Sequence, residues 1–387
     1  MQARPACAAE GGYKEYTKRM SIYRLNRLRE LQQSAGIDYI AVMPGANLIY
    51  FTGIHAHLSE RPILALFPAD RGQPLLFVPE FEYGKFRTGP VPIDWRAYTY
   101  PDGHDLGELF GRAAREAGLD GKTIGIDPAQ MRMLEWSLLA HEAPNLRALP
   151  AAELVSQLRM IKDSDEIARM RRAAAVPERV LREAMTHIQP GMTELDVAGL
   201  IMKVSLTQSL KEAVGYPLVQ TGLSAAFPHA YAGDRAVQKG DLVVIDFGAQ
   251  VDDYASDITR TIAVGEPSDE MKRIYETVKK ANEAGRAAVM PGAACEDVDR
   301  AARDVIEQAG YGKYFTHRTG HGLGLEGHEP PYIVKGNKTV LQPGMTFTVE
   351  PGIYIEGKGG VRIEDDVVVT KDGCESLTSF PRELTIV

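Results

Sequence analysis

The sequence contains few cysteines, no long apolar run and no excess of basic residues. Its three cysteines, Cys7, Cys295 and Cys374, are too few and too scattered for a disulfide framework or a thiolate zinc site, which indicates a reducing compartment. No segment approaches the ~18 apolar residues of a membrane span. With 44 Lys and Arg against 52 Asp and Glu, the net charge is −8. We therefore expect a soluble, cytoplasmic protein that binds a small ligand rather than nucleic acid or a membrane surface.

The length of 387 residues predicts more than one domain, since single cores rarely exceed about 250–300 residues. Residues 1–17 are small and polar, without the apolar stretch of a signal peptide, and we interpret them as a flexible tail. Residues 18–155 alternate between helical and strand patterns and predict an α/β domain. A long helical pattern then breaks at "KDSDE", where Asp163 and Glu166 have capping-box spacing. This break predicts a second domain over residues 156–387.

The second domain contains an internal repeat. "PGMTELDV" (190–197) and "PGAACEDV" (291–298) share Pro-Gly and Asp-Val at an offset of 101 residues. "GDLVVID" (240–246) and "GMTFTVE" (344–350) each end in an acid six residues after a glycine, at an offset of 104. Similar offsets predict two copies of one α/β unit. If the copies face one another, the two terminal acids meet.

Each copy also has a second acid on the segment that returns from its strand. Asp246 is followed by Asp257, and Glu350 is followed by Glu364. In a hairpin, the returning acid can lie beside the outgoing one, so that four carboxylates converge. A solvated turn is the alternative for one acidic stretch, but it does not explain two equivalent hairpins. Converging carboxylates need counter-charge, which divalent cations usually supply.

A segment rich in glycine and histidine, "HRTGHGLGLEGHEPP", lies between the two hairpins. It contains His317, His321 and His328, and its glycines permit close approach of the backbone to a ligand. Oxygen ligands with one imidazole suit Mn²⁺, Co²⁺, Fe²⁺ or Zn²⁺, and four carboxylates suit two ions. His317 either orients this segment or packs against it, and the sequence leaves both possibilities open.

These motifs, in this order, resemble the ligand set of the pita-bread metallopeptidases, which include methionine aminopeptidase, prolidase and aminopeptidase P. Because methionine aminopeptidases generally lack an N-terminal domain like this one, the resemblance favours the prolidase and aminopeptidase P branch. It implies a creatinase/prolidase-like α/β domain followed by a pita-bread domain with an internal pseudo-twofold repeat. The implied metal ligands are Asp246, Asp257, His321, Glu350 and Glu364.

The resemblance also implies a role for each ligand. Asp257 and Glu364 would bridge two ions, Asp246 would bind one of them, and His321 and Glu350 would bind the other. The implied reaction is hydrolysis of Xaa-Pro bonds in short peptides by a metal-bound hydroxide, with Glu350 as the proton shuttle.

Four further residues are candidates for substrate binding. His229 and His328 match family histidines near the scissile bond and are also catalytic candidates. Arg362, two residues before a predicted ligand, either supports the carboxylates or is an exposed strand residue. Tyr332 lies where prolidases commonly have an arginine that pairs with the substrate carboxylate. Because tyrosine carries no charge, we expect looser discrimination than in a strict prolidase, unless Lys335 or Lys338 replaces the cation.

Two alternatives remain open at this point. One is another hydrolytic or lyase reaction on the same metal site, and the other is a binding module of this fold. The resemblance also predicts a homodimer, in which the loop 53–62, with His55, His57 and Arg61, reaches the partner's active site.

Overall fold

The computed structural model describes residues 7–208 and 213–387, and the chain divides into two compact units between Arg159 and Met160. The described elements of the N-terminal unit are α1 (Cys7–Ala35), β1 (Tyr39–Val42), α2 (Ala46–Thr52), β2 (Leu64–Pro68), β3 (Leu75–Pro79), α3 (Glu80–Arg87), β4 (Arg96–Tyr100), α4 (Leu106–Glu116), β5 (Thr123–Ile126), α5 (Met133–Glu142), β6 (Arg147–Pro150) and α6 (Ala152–Met160). The six strands form one mixed sheet with the order β4-β3-β2-β1-β5-β6. Residues 7–17 lie in α1, and residues 1–6 lie outside the described residues.

The sheet forms from short apolar runs. The strands "LALFP" and "LLFVP" are buried along their whole length, as expected for strands covered on both faces. The ring of Phe77 stacks on that of Phe110 in α4 at a centroid distance of 4.2 Å.

On the loop 53–62, the Nε of Arg61 donates to Asp102 at 2.6 Å within the same unit.

The C-terminal unit begins with the predicted capping box. The backbone N–H of Glu166 donates to the Asp163 side chain at 2.9 Å, and that of Asp163 donates to Glu166 at 2.8 Å. Its helices are α7 (Ser164–Met185), α8 (Glu194–Gln208), α9 (Asp269–Ala287) and α10 (Cys295–Gln308). Its strands are β7 (Ala213–Val214), β8 (Leu218–Thr221), β9 (Leu242–Phe247), β10 (Ala249–Val251), β11 (Tyr254–Ala255), β12 (Ile258–Ala263), β13 (Gly320–Gly322), β14 (Glu329–Ile333), β15 (Thr346–Val349), β16 (Gly352–Ile355), β17 (Gly359–Arg362), β18 (Asp365–Val369) and β19 (Cys374–Ser376).

The internal repeat recurs in backbone conformation. Gly191 and Gly292, which precede α8 and α10, have φ values of +92° and +91°. Their N–H groups donate to the carbonyls of Val237 and Leu341, in both cases at 2.9 Å. The donors are 101 residues apart and the acceptors 104, which are the offsets found in the sequence. Each copy therefore contains two successive helices. The turn before the second helix, α8 or α10, is hydrogen-bonded to the segment that precedes β9 or β15.

The predicted ligands lie at equivalent places in the two copies. Asp246 lies near the end of β9, which pairs with β8 and β12, and Asp257 directly precedes β12. Glu350 directly follows β15, which pairs with β13 and β18, and Glu364 directly precedes β18. The apolar parts of these strands anchor them in the core, and their polar ends converge. Among the described residues, no helix has the length and apolar character needed to cross a membrane.

Candidate metal centre and active site

The C-terminal unit contains a cavity of about 500 Å³ where the polar ends of these strands meet. Tyr332, Lys335 and Lys338 are not among the described residues that line it. The sequence-predicted residues that line it are Asp246, Asp257, His321, Glu350, Glu364, His229, His328, Arg362 and His317.

His321 enters this cavity from a strand that lies unusually close to its neighbours. A Cβ atom on Gly320 would lie 1.8 Å from the carbonyl oxygen of Thr348, and one on Gly322 would lie 2.3 Å from that of Pro330. Side chains at these positions would displace β13 from between β14 and β15. The glycines thus permit close approach to neighbouring strands, whereas the sequence had suggested approach to a ligand.

The ring of His321 is oriented so that its Nε2 faces carboxylates. Its Nδ1 lies 3.1 Å from the carbonyl oxygen of Gly322, which only accepts hydrogen bonds, so Nδ1 carries the proton in the neutral ring. Nε2 lies 3.5 Å from Glu350 Oε1 and 3.9 Å from Asp257 Oδ2. Burial and the charge of His328 lower the pKa of His321 to about 3. A lone pair that faces carboxylate oxygens is favourable only if a cation, or a proton on a carboxyl group, lies between them.

The carboxylates around His321 also lack sufficient counter-charge. Burial, with a contribution from Asp246, raises the pKa of Glu350 to about 8. Burial and neighbouring negative charges raise the pKa values of Asp257 and Glu364 well above their usual range. Donor atoms of Asp257, His321 and Glu364 lie within 4.8 Å of one another. This set of oxygen donors with a neutral imidazole fits a divalent ion.

Arg362 lines the cavity and supports the carboxylates. Its guanidinium donates to Asp246 Oδ2 at 2.6 Å, to the Tyr354 hydroxyl at 3.0 Å and to Thr259 Oγ1 at 3.0 Å. Thr259 in turn donates to Glu364 Oε2 at 2.6 Å. The side chain of Arg362 is only 3% exposed, so its hydrogen bonds hold two predicted ligands in place.

His317 belongs to the same hydrogen-bond network through Tyr354. Its Nε2 is 2.9 Å from the Tyr354 hydroxyl, and its Nδ1 is 2.6 Å from the carbonyl oxygen of Arg318. Burial lowers the pKa of His317 to about 4, so the ring is neutral at physiological pH. His317 therefore links the backbone before β13 to the residue that contacts Arg362. Tyr354 was not identified from the sequence, because its relation to these residues depends on the pairing of β16 with β17.

The loop that carries His229 is fixed by a buried carboxylate. Glu194 accepts hydrogen bonds from the backbone N–H groups of Thr221 at 2.8 Å and Gly233 at 2.9 Å, on either side of His229. This clamp ties both ends of the loop to α8 and leaves the histidine facing the cavity.

His328 packs against His321, and the centroids of the two rings are 3.9 Å apart. Burial and the charge of Arg318 lower the pKa of His328. The next residue, Glu329, forms a buried ion pair with Lys162 at 2.7 Å, which anchors the start of β14. Sequence reasoning missed this pair because its members are far apart in the chain.

Arg318 is a cavity-lining residue that the sequence analysis did not single out. Its guanidinium carbon lies 4.7 Å from the ring centroid of Tyr332. The signal was present in "HRTGH", but an arginine between histidines and glycines has no distinctive pattern.

Comparisons with known proteins show the family to which the chain belongs. Residues 168–371 match the model of metallopeptidase family M24, and residues 24–161 match the creatinase/prolidase N-terminal domain. The chain belongs to metallopeptidase family M24. This M24 chain is 35% identical to the Xaa-Pro dipeptidase of Lactobacillus helveticus, over 94% of this chain and 98% of that protein.

Solved structures are similar to this M24 chain over nearly its whole length. The dipeptidase from Pyrococcus horikoshii OT3 is 38% identical, with a TM-score of 0.87 over 94% of this chain and 100% of that one. The prolidase from Thermococcus sibiricus is 34% identical, with a TM-score of 0.87 over 94% and 98%. The predicted fold class is therefore confirmed, as is the prediction that the chain is a metallopeptidase.

Proposed function

We propose that this chain is an Xaa-Pro dipeptidase that binds two divalent ions. The residues that would hold the ions are the five predicted ligands, Asp246, Asp257, His321, Glu350 and Glu364. The observation that carries the proposal is the neutral ring of His321, whose lone pair faces the oxygens of Asp257 and Glu350 in a cavity lined by all five ligands. The names of the relatives support the choice of Xaa-Pro bonds.

Each residue of the site would have its own role in the reaction. When bound, the two ions would lower the pKa of a water molecule and polarise the scissile carbonyl. Glu350 would accept a proton from the attacking water at its carboxylate and deliver it to the leaving nitrogen. His229 and His328 would donate hydrogen bonds to the substrate amide and to the oxygen that gains charge. Arg362 would keep Asp246 and, through Thr259, Glu364 in position.

The cavity is of a size suited to a short peptide. Ligand sites typically have volumes of about 300–1,000 Å³, and this one is about 500 Å³. The alternatives, a different hydrolytic or lyase reaction or a binding module, share the fold but predict no turnover of Xaa-Pro peptides.

Metal analysis and a peptide panel test this proposal together. The purified protein should bind about two ions per chain after incubation with Mn²⁺, Co²⁺, Fe²⁺ or Zn²⁺, and comparison of rates identifies the most active ion. It should hydrolyse Ala-Pro and leave Ala-Ala largely intact. A Glu350→Gln variant provides the matched inactive control. A metal-loaded protein that hydrolyses no Xaa-Pro peptide would exclude the proposed activity.

We further propose that the protein is a cytoplasmic homodimer. The support is the family resemblance and the scarcity of cysteine. Arg61 already pairs with Asp102 within its own unit, so any role in a partner's site would fall to other residues of the loop 53–62. Sedimentation at several protein concentrations tests the assembly, and a fully active monomer would contradict it.

A further inference from the structure

In the part of the chain that the structure describes, two arginines line the cavity, and they differ in their partners. Arg362 is bound to Asp246, Tyr354 and Thr259. Among the described residues, no hydrogen-bond acceptor or carboxylate pairs with the guanidinium of Arg318. An arginine in a concave site usually has an anionic partner, because its five donors are costly to leave unsatisfied.

Arg318 is held in place by an aromatic ring instead. Its guanidinium carbon lies 4.7 Å from the centroid of the Tyr332 ring. Tyr332 and His321 are directly opposed partners of the antiparallel pair β13 and β14, so their side chains project to the same face. A ring positions a guanidinium without neutralising its charge, so the donors stay available for a ligand.

The remaining charges of the cavity indicate what this ligand is. Asp246, Asp257, Glu350 and Glu364 provide the negative charge of the described lining, and none of them forms an ion pair with Arg318, although its charge lowers the pKa of Glu350. In a cavity of about 500 Å³, a bound peptide is short and its end lies close to the reacting bond. The free carboxylate of a dipeptide is an anion of matching charge and planar shape.

We propose that Arg318, supported by the ring of Tyr332, binds the C-terminal carboxylate of the substrate. This inference rests on the proposed function and makes it more specific. It also differs from the expectation drawn from the sequence, in which Tyr332 left the carboxylate without a cation. The tyrosine instead supports an arginine from the loop that precedes β13.

Hydrolysis of Ala-Pro and of its C-terminal amide tests the inference. Wild-type protein should prefer the free acid by about 10- to 100-fold in kcat/KM, the range of charge-assisted hydrogen bonds. Arg318→Met should remove this preference mainly by raising KM for the acid, with the amide changed less than about threefold. Arg318→Lys should retain part of the preference, because it keeps the charge but loses the planar fork.

Lys313 provides a matched control. Its ammonium lies 4.8 Å from the ring centroid of Tyr314, and it does not line the cavity. Lys313→Met should leave the ratio of acid to amide unchanged. Tyr332→Phe keeps the ring and should retain the preference, whereas Tyr332→Ala should weaken it. Equal hydrolysis of acid and amide by the wild type, or equal losses for both in Arg318→Met, would overturn the inference.

A binding measurement separates this inference from the proposed function. Calorimetry of the metal-loaded protein should show tighter binding of proline than of prolinamide, with the difference lost in Arg318→Met. If the wild type hydrolyses no Xaa-Pro peptide, the proposed function fails, and the binding result decides the role of Arg318. Equal binding of both ligands would refute that role even if hydrolysis is observed.

Discussion

Replacement of Glu350 by glutamine should stabilise the metal-free protein while it abolishes activity. Burial raises the pKa of Glu350 from its ordinary value of 4.5 to about 8, so the folded chain holds a proton that the unfolded chain releases. Stability therefore decreases as the pH rises between these two values. Glutamine keeps the shape and an acceptor for the Thr348 hydroxyl, which lies 3.3 Å from Oε1, but it has no charge to bury.

The size of the effect follows from the pKa. A shift from 4.5 to about 8 corresponds to at most about 5 kcal/mol, of which about 4 kcal/mol develops between pH 5 and pH 8.5. The stability of the variant relative to the wild type should increase by up to that amount over this interval. Asp257 and Glu364 are present in both proteins, but the charge of Glu350 contributes to their raised pKa values, so the substitution should also lower the pKa of each of them.

Urea unfolding in the presence of a chelator measures this difference. The free energies of unfolding should be similar at pH 5 and diverge at pH 8.5, with the variant more stable. Glu356→Gln, at an exposed position between β16 and β17, is the control and should show no such divergence. Added Mn²⁺ should stabilise the wild type more than the variant. A variant that is no more stable than the wild type at pH 8.5 would refute the reasoning.

Three further predictions concern the surrounding residues. Asp257→Ala or Glu364→Ala should reduce bound metal from about two ions per chain to one or none and abolish hydrolysis, as measured by elemental analysis after dialysis; full metal content with a normal rate would exclude the assigned site. Lys162→Met should lower the free energy of unfolding by about 3–5 kcal/mol, because it leaves the Glu329 carboxylate buried without its cation. The double variant with Glu329→Met should recover much of this loss, and a single-variant effect below about 1 kcal/mol would argue against the pair. Arg362→Met should destabilise the metal-free protein more than the metal-loaded one, since a bound ion also compensates Asp246; equal losses in both states would contradict this.

The internal repeat could be predicted because it rests on local chemistry. A turn glycine with positive φ and an apolar strand that ends in an acid are recognisable in a few residues. The offsets of 101 and 104 residues reappear as equivalent hydrogen bonds at Gly191 and Gly292. The grouping of the acids followed from the same repeat. The cavity does contain all the predicted ligands, although their role as ligands stays a prediction.

The partners of charged residues could not be predicted in the same way. Arg362 could be singled out because it lies two residues before a predicted ligand, whereas Arg318 has no such spacing, and for neither residue does the sequence reveal the partners of the guanidinium. In the structure, Arg362 is bound to carboxylate and hydroxyl groups, whereas Arg318 lies on a ring and faces the cavity. Whether a cation is satisfied depends on side chains brought together from separate strands, which is a property of the tertiary structure.

The consecutive acids 364–366 differ in the counter-charge that surrounds them, although they are adjacent in the sequence. Asp365 accepts hydrogen bonds from Arg260 at 2.8 Å and Arg382 at 2.6 Å. Burial alone would raise the pKa of Asp365, but these two guanidinium groups outweigh burial and hold it at about 2. Its neighbours point to the other face of the strand, as the alternation of side chains requires.

On that other face, the acids receive less counter-charge from arginine than Asp365 does. Glu364 receives a hydrogen bond from Thr259 at 2.6 Å, and Asp366 receives one from the backbone N–H of Asp257 at 2.9 Å. Burial raises the pKa values of both acids well above their usual range. The arginines therefore neutralise the acid that faces the core, and the acid that faces the cavity keeps its capacity for a cation. This difference in counter-charge, more than the number of acids, distinguishes the candidate metal centre from the structural ion pairs beside it.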